Sequence, residues 1–163
     1  MKKKQFVSDY TVYEDEKELA AITAADAELL AQAHEATDNS YVPYSKFHVG
    51  AAVRLANGVV IKGCNIENAA YPSGLCAERV TLFAAQSQYP EVPVEAIAIT
   101  ARSESADVTE PVAPCGACRQ VMLETEQRSG RPMRIICQGH SGEVFVFDGV
   151  ETLMPFIFLT KFL

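Results

Sequence analysis

The chain has 163 residues, with 14 basic and 21 acidic side chains, a formal charge of −7 and an apolar fraction of 48%. That length fits one domain with a sizeable core, and the composition excludes a disordered, collagen-like or coiled-coil chain. The acidic balance argues against a broad nucleic-acid-binding face and favours a small-molecule or protein partner.

Residues 1–20 are polar and carry the cluster Glu14-Asp15-Glu16-Lys17-Glu18. They read as an extension, ordered in part at best, ahead of a domain expected over residues 21–163. Met1-Lys2-Lys3-Lys4 resembles the basic start of a leader, but no apolar core follows it, so no secretory signal is expected. No run of eighteen apolar residues exists, which argues against a membrane span; a cytoplasmic setting is the default. Residues 22–38 place Leu29, Leu30, Ala33 and Ala36 at helical spacing, and Asp38-Asn39-Ser40 with Pro43 ends that helix. Phe47 to Leu55 and Val59 to Cys64 are apolar runs around Ala56-Asn57-Gly58, a hairpin signal. Residues 76–88 predict a helix, 94–100 a strand, 101–114 a loop and 115–128 a second helix. Strands follow at 133–137 and 144–147, then a short helix at 149–154. The order α-β-β-α-β-α-β-β predicts an α/β fold, a mixed sheet with helices on its faces.

Five cysteines are an odd and sparse set, which argues against a disulfide scaffold. Cys76 opens one predicted helix, and Cys115 and Cys118, a C-x-x-C after Pro114, open another. Helix N-termini carry positive partial charge and unpaired N–H groups, which lower thiol pKa values. Two such termini side by side would gather three thiolates, a donor set that suits zinc. Three protein ligands leave a fourth position open, as in catalytic zinc sites. Glu78, two residues after Cys76, is placed to move protons beside that position. Cys64 and Cys137 lie in strand patterns and read as core.

Cys76-Ala77-Glu78-Arg79, followed by Pro114-Cys115-Gly116-Ala117-Cys118-Arg119-Gln120, resembles the cytidine deaminase family of zinc enzymes. Tyr44-Ser45-Lys46-Phe47-His48-Val49-Gly50-Ala51-Ala52 is similar to the family's substrate-side strand. Gly63-Cys64-Asn65-Ile66-Glu67-Asn68-Ala69-Ala70-Tyr71 is similar to its ribose loop, and Leu153 to Phe158 to its ending. Cys76, in place of a histidine, points to the small three-cysteine, homotetrameric type. The resemblance implies a three-layer α/β/α fold with about five strands, one Zn²⁺ per chain on Cys76, Cys115 and Cys118, and hydrolysis of cytidine and deoxycytidine to uridine and deoxyuridine with release of ammonia. It implies that activated water attacks C4 while Glu78 shuttles protons. Phe47 would stack on the base, and Asn65 and Glu67 would bind the ribose. The Ala77 N–H would contact the base O2 and the Ala113 carbonyl the departing amino group. Arg79 and Gln120 would donate to the thiolates, offsetting their excess charge. Tyr71 and Phe158 would reach a neighbouring subunit's site.

Three rival readings weigh less. A nucleoside antibiotic as substrate is disfavoured by the Asn65 and Glu67 pair, and a nucleic-acid base by the charge of −7. A purely structural zinc knot would need a fourth ligand and has no use for Glu78.

Overall fold

Thr11–Tyr13 forms a short strand, β1, and Asp15 then starts helix α1 (Glu16–Ile22). The Asp15 carboxylate accepts from the N–H groups of Lys17 and Glu18, both at 2.9 Å, satisfying donors that the helix itself leaves unpaired. The computed structural model describes residues 1–163, the side chain of Ile22 excepted. Helix α2 (Ala24–Ala36) buries Leu29, Leu30, Ala33 and Ala36, the apolar stripe of the sequence. Strands β2 (Phe47–Leu55) and β3 (Val60–Cys64) form an antiparallel hairpin. Its turn places Gly58 at φ 83°, a conformation that a side chain would strain. Helix α3 (Ala77–Gln88), strand β4 (Val94–Ser103), helix α4 (Gly116–Ser129) and strands β5 (Arg134–Gln138) and β6 (Val144–Phe147) follow. The helix expected at 149–154 is a single 3-10 turn, Val150–Leu153.

The sheet order is β1-β6-β5-β4-β2-β3, with β4 and β5 parallel and the other neighbours antiparallel. Its faces separate by alternation along each strand. Ala51, Val53, Leu55, Ile97, Ile99, Ile135 and Cys137 belong to the cluster under α3 and α4. Ala52, Ala96, Ala98, Ile136, Val144 and Val146 belong to the cluster under α1 and α2. Three layers result, as expected, but the sheet has six strands where about five were expected.

The additional strand is β1, paired to β6 through Thr11–Val146 and Tyr13–Val144. Tyr13 and Leu19 are buried, so the second half of the extension joins the sheet and the α1/α2 layer, and the expected boundary at residue 20 falls inside α1. Burial of Leu19 alone contributes about 1.5–3 kcal/mol. Asp26, buried on α2, is held by Arg54 at 3.0 Å and Arg134 at 2.6 Å, which ties that layer to β2 and β5. No helix among the described residues is long and apolar enough to cross a membrane.

Parallel pairing of β4 with β5 requires a crossover, and α4 supplies it. Helix α3 connects β3 to β4 on the same face of the sheet. Both helices therefore lie in one layer, and their first turns meet.

Candidate metal centre and active-site cleft

Cys76 and Cys115 are the N-cap residues of α3 and α4, at φ −69°, ψ 151° and φ −66°, ψ 164°. Neither side chain caps its own helix, so both sulfurs are free to face each other. Cys118 lies three residues beyond Cys115, on the same side of the helix. The Sγ–Sγ separations are 3.9 Å for Cys76–Cys115 and 3.4 Å for Cys115–Cys118, and the three sulfurs lie within 4.8 Å of one another. A tetrahedral zinc with bonds near 2.3 Å holds its sulfurs about 3.8 Å apart. The donor set and its spacing fit that ion.

The electrostatics agree. The Cys76 thiol is drawn down to about 5, first by hydrogen bonding from Cys118 and then by the Arg79 guanidinium, whose Nη2 donates to Cys76 Sγ at 3.6 Å. Cys118 moves the opposite way, because its proton is held toward Cys76 and the side chain is buried. Arg79 Nε is buried without a hydrogen-bond partner in the structure, a spare donor on the guanidinium that already serves Cys76. Glu78, in the first turn of α3, is only 4% exposed. Burial pushes its pKa up and the negative charge of Cys76 adds to that, against the pull of its own N–H, Cys118 and Arg79. The result is a carboxyl with raised proton affinity beside three thiols.

A cleft of about 580 Å³ opens against Cys76 and Arg79, lined also by Tyr44, Ser45, Asn65, Glu67 and Tyr71. That volume lies in the usual range for small-molecule sites. Residues 23–130 match the model of the cytidine and deoxycytidylate deaminase zinc-binding region.

The chain belongs to the cytidine and deoxycytidylate deaminase family.

Its relatives bear this out. It is 51% identical over 96 residues to the cytidine deaminase of Halalkalibacterium halodurans, covering 59% of this chain and 68% of that protein. It is 47% identical over 96 residues to that of Sporosarcina psychrophila, covering 59% and 66%. The crystal structure of cytidine deaminase from Burkholderia pseudomallei superposes with a TM-score of 0.70 at 38% identity, covering 80% of this chain and 97% of that one. The chain is thus a hydrolytic deaminase of this zinc-binding family, and its three-cysteine cluster is consistent with one zinc per chain.

The deaminase family pattern places the remaining residues unevenly. Asn65 faces the cleft, but its amide is tied to β2: Oδ1 accepts from the Val49 N–H at 2.8 Å and Nδ2 donates to the Phe47 carbonyl at 2.9 Å. Glu67 Oε2 accepts from the N–H groups of Tyr44 at 2.9 Å and Ser45 at 3.3 Å, and hydrogen bonding, led by Ser45, holds its pKa below the usual value. Tyr71 is 75% exposed and meets the Tyr44 ring edge-on at 5.9 Å. Ala77 opens α3, where a backbone N–H has no partner within the helix.

Other expected residues do not line the cleft. Phe47 starts β2, half-buried, and Ala113 is exposed just ahead of Pro114. Gln120 donates to the Phe158 carbonyl at 3.1 Å, binding the tail where a thiolate contact was expected. Phe158 stacks on Phe162 at 6.0 Å and is 57% exposed, so one chain does not bring it into its own cleft. Tyr44 and Ser45 open the segment that resembles the substrate-side strand but carry no expected role there; their N–H groups hold Glu67. Their place three and two residues before Phe47 was the available signal.

Proposed function

We propose that this chain deaminates free cytidine and deoxycytidine to uridine and deoxyuridine, releasing ammonia. One observation carries the reading: a buried carboxyl of raised proton affinity, Glu78, stands beside a three-thiol cluster whose Cys76 lines a cleft of about 580 Å³.

Cys76, Cys115 and Cys118 would hold the zinc, whose Lewis acidity would make water a nucleophile near neutral pH. Glu78 accepts one proton of the attacking water and delivers it to N3 of the base, then takes the proton of the new C4 hydroxyl and gives it to the amino group as it leaves. One water is consumed, the C4–N bond breaks, and a C4 carbonyl and ammonia remain. Arg79 donates to Cys76 and offsets the excess negative charge of three thiolates. On the family pattern the Ala77 N–H meets the base at O2, the Ala113 carbonyl meets the departing amino group and the Phe47 ring stacks on the base; neither Ala113 nor Phe47 lines the cleft of the single chain. Asn65 retains a second N–H, and Glu67 a second carboxylate oxygen, for the ribose 3′-hydroxyl.

The Glu67 carboxylate also disfavours a phosphorylated substrate by like-charge repulsion, which supports a free nucleoside. The aromatic surface exposed at Tyr71, Phe156 and Phe158 supports a homotetramer in which Tyr71 and Phe158 complete a neighbouring site. Ammonia release measured across cytidine, deoxycytidine, free cytosine and short single-stranded DNA tests the reading. The two nucleosides should react and the others should not; turnover of the DNA alone would overturn it.

A further inference from the structure

We infer that Arg119 is a positioning residue: its guanidinium fixes the loop that presents Cys115 by clamping it to the turn near the chain's end. The inference rests on the reading of the three cysteines as zinc ligands. It starts from a problem of loop mechanics. Cys115 sits at the end of residues 104–114, an irregular segment with no sheet partner. Upstream that segment is tied at Val108, whose carbonyl accepts from the His140 N–H at 2.6 Å. Beyond this point its next backbone tie comes from a side chain, Arg119 Nε donating to the Pro114 carbonyl at 2.7 Å.

The second arm of the same guanidinium donates through Nη1 to the Leu153 carbonyl at 2.8 Å. Leu153 closes the 3-10 turn Val150–Leu153, and that turn is itself anchored. The buried Glu126 carboxylate accepts from the Val150 N–H at 3.0 Å, and the Ser8 hydroxyl donates to the Thr152 carbonyl at 2.8 Å. Arg119 therefore holds the metal loop against a turn fixed from two other directions. The clamped peptide runs from Pro114 into Cys115, so its plane sets where the Cys115 sulfur points and how the carbonyl of Ala113, one residue earlier, is aimed.

The chemistry calls for arginine. A planar fork offers donors in two separate directions, whereas a lysine ammonium is a compact point donor on a flexible stem. Both acceptors are neutral carbonyls, so no carboxylate in these contacts cancels the guanidinium charge. That charge remains next in sequence to Cys118, where it opposes the excess negative charge of the thiolates.

The test compares the native protein with Arg119→Ala and Arg119→Lys by three readouts: zinc release to a chelating dye, the split between kcat and KM, and the visible spectrum after cobalt substitution. Partners that orient metal ligands carry about 10–100-fold in affinity or activity. Arg119→Ala should release zinc at least about tenfold faster, lower kcat more than it raises KM, and shift the cobalt–thiolate bands, with Arg119→Lys between it and the native protein. A variant that melts earlier yet keeps the native release rate, kcat and spectrum would overturn the inference, because Arg119 would then fasten only the fold. Where Arg119→Ala does not fold, Arg119→Lys decides: faster release supports the role and the native rate overturns it. Native protein that takes up no zinc would remove the metal reading itself, an outcome distinct from a native metal site indifferent to Arg119.

Discussion

At the head of α3 the Cys76 thiol is drawn down to about 5, while in the middle of β5 burial drives the Cys137 thiol far upward. The residue is the same and both belong to one domain. What differs is the supply of donors. The N-cap position gives Cys76 the proton of Cys118, the Arg79 guanidinium and the positive end of a helix. The strand gives Cys137 only apolar neighbours and the nearby negative charge of Glu78, against a weaker pull from Arg119. Cys64, at the end of β3, is also raised by burial. Position in the backbone, not the presence of sulfur, divides the five thiols into a cluster that could hold a metal and a core pair.

The contrast can be broken most severely from the helix side. Cys118→Ala should reduce zinc from about one per chain to background by metal analysis and abolish turnover, since two sulfurs do not make the site. Glu78→Gln separates metal from chemistry: zinc should stay bound while kcat falls by about 10²–10⁴-fold, the usual span for a positioned proton carrier. A variant of full activity would remove Glu78 from the mechanism.

The pH dependence of alkylation sharpens the comparison. In metal-free protein Cys76 should react increasingly as pH rises through about 5 and level off before pH 7, because the thiolate is the nucleophile. Cys137 should stay unreactive across that range until the protein unfolds. Mass mapping of the modified thiols checks both, and a Cys76 profile that climbs only near the ordinary thiol pKa would contradict the assignment. The smallest effect belongs to the core. Cys137→Ser should cost about 1–3 kcal/mol in denaturant unfolding, for a buried hydroxyl poorly paired, with zinc content unchanged. Loss of zinc in that variant would place Cys137 in the centre after all.

Much of this was legible because it is local. The stripe Leu29, Leu30, Ala33, Ala36 marks α2, and Asn57-Gly58 marks the β2–β3 hairpin. The cysteines mark two helix starts within a residue, and the two motifs name the three sulfurs that the fold gathers. Strand β1 was not legible: its three residues have no alternation long enough to read, and their partners in β6 lie at the other end of the chain. Gln120 was misplaced because an amide two residues past a ligand can turn toward metal or tail, and only packing decides. Arg119 left no sign because both its partners are main-chain carbonyls, which no residue type announces.

The separation of 39 positions between Cys76 and Cys115 gives the cluster a second consequence. An ion held across them in the folded chain and released on unfolding stabilises the native state by mass action. Each tenfold rise in free zinc above its dissociation constant adds about 1.4 kcal/mol to the folded state. The lifetime of the protein is therefore coupled to metal supply, so that zinc starvation would deplete the enzyme as well as silence it.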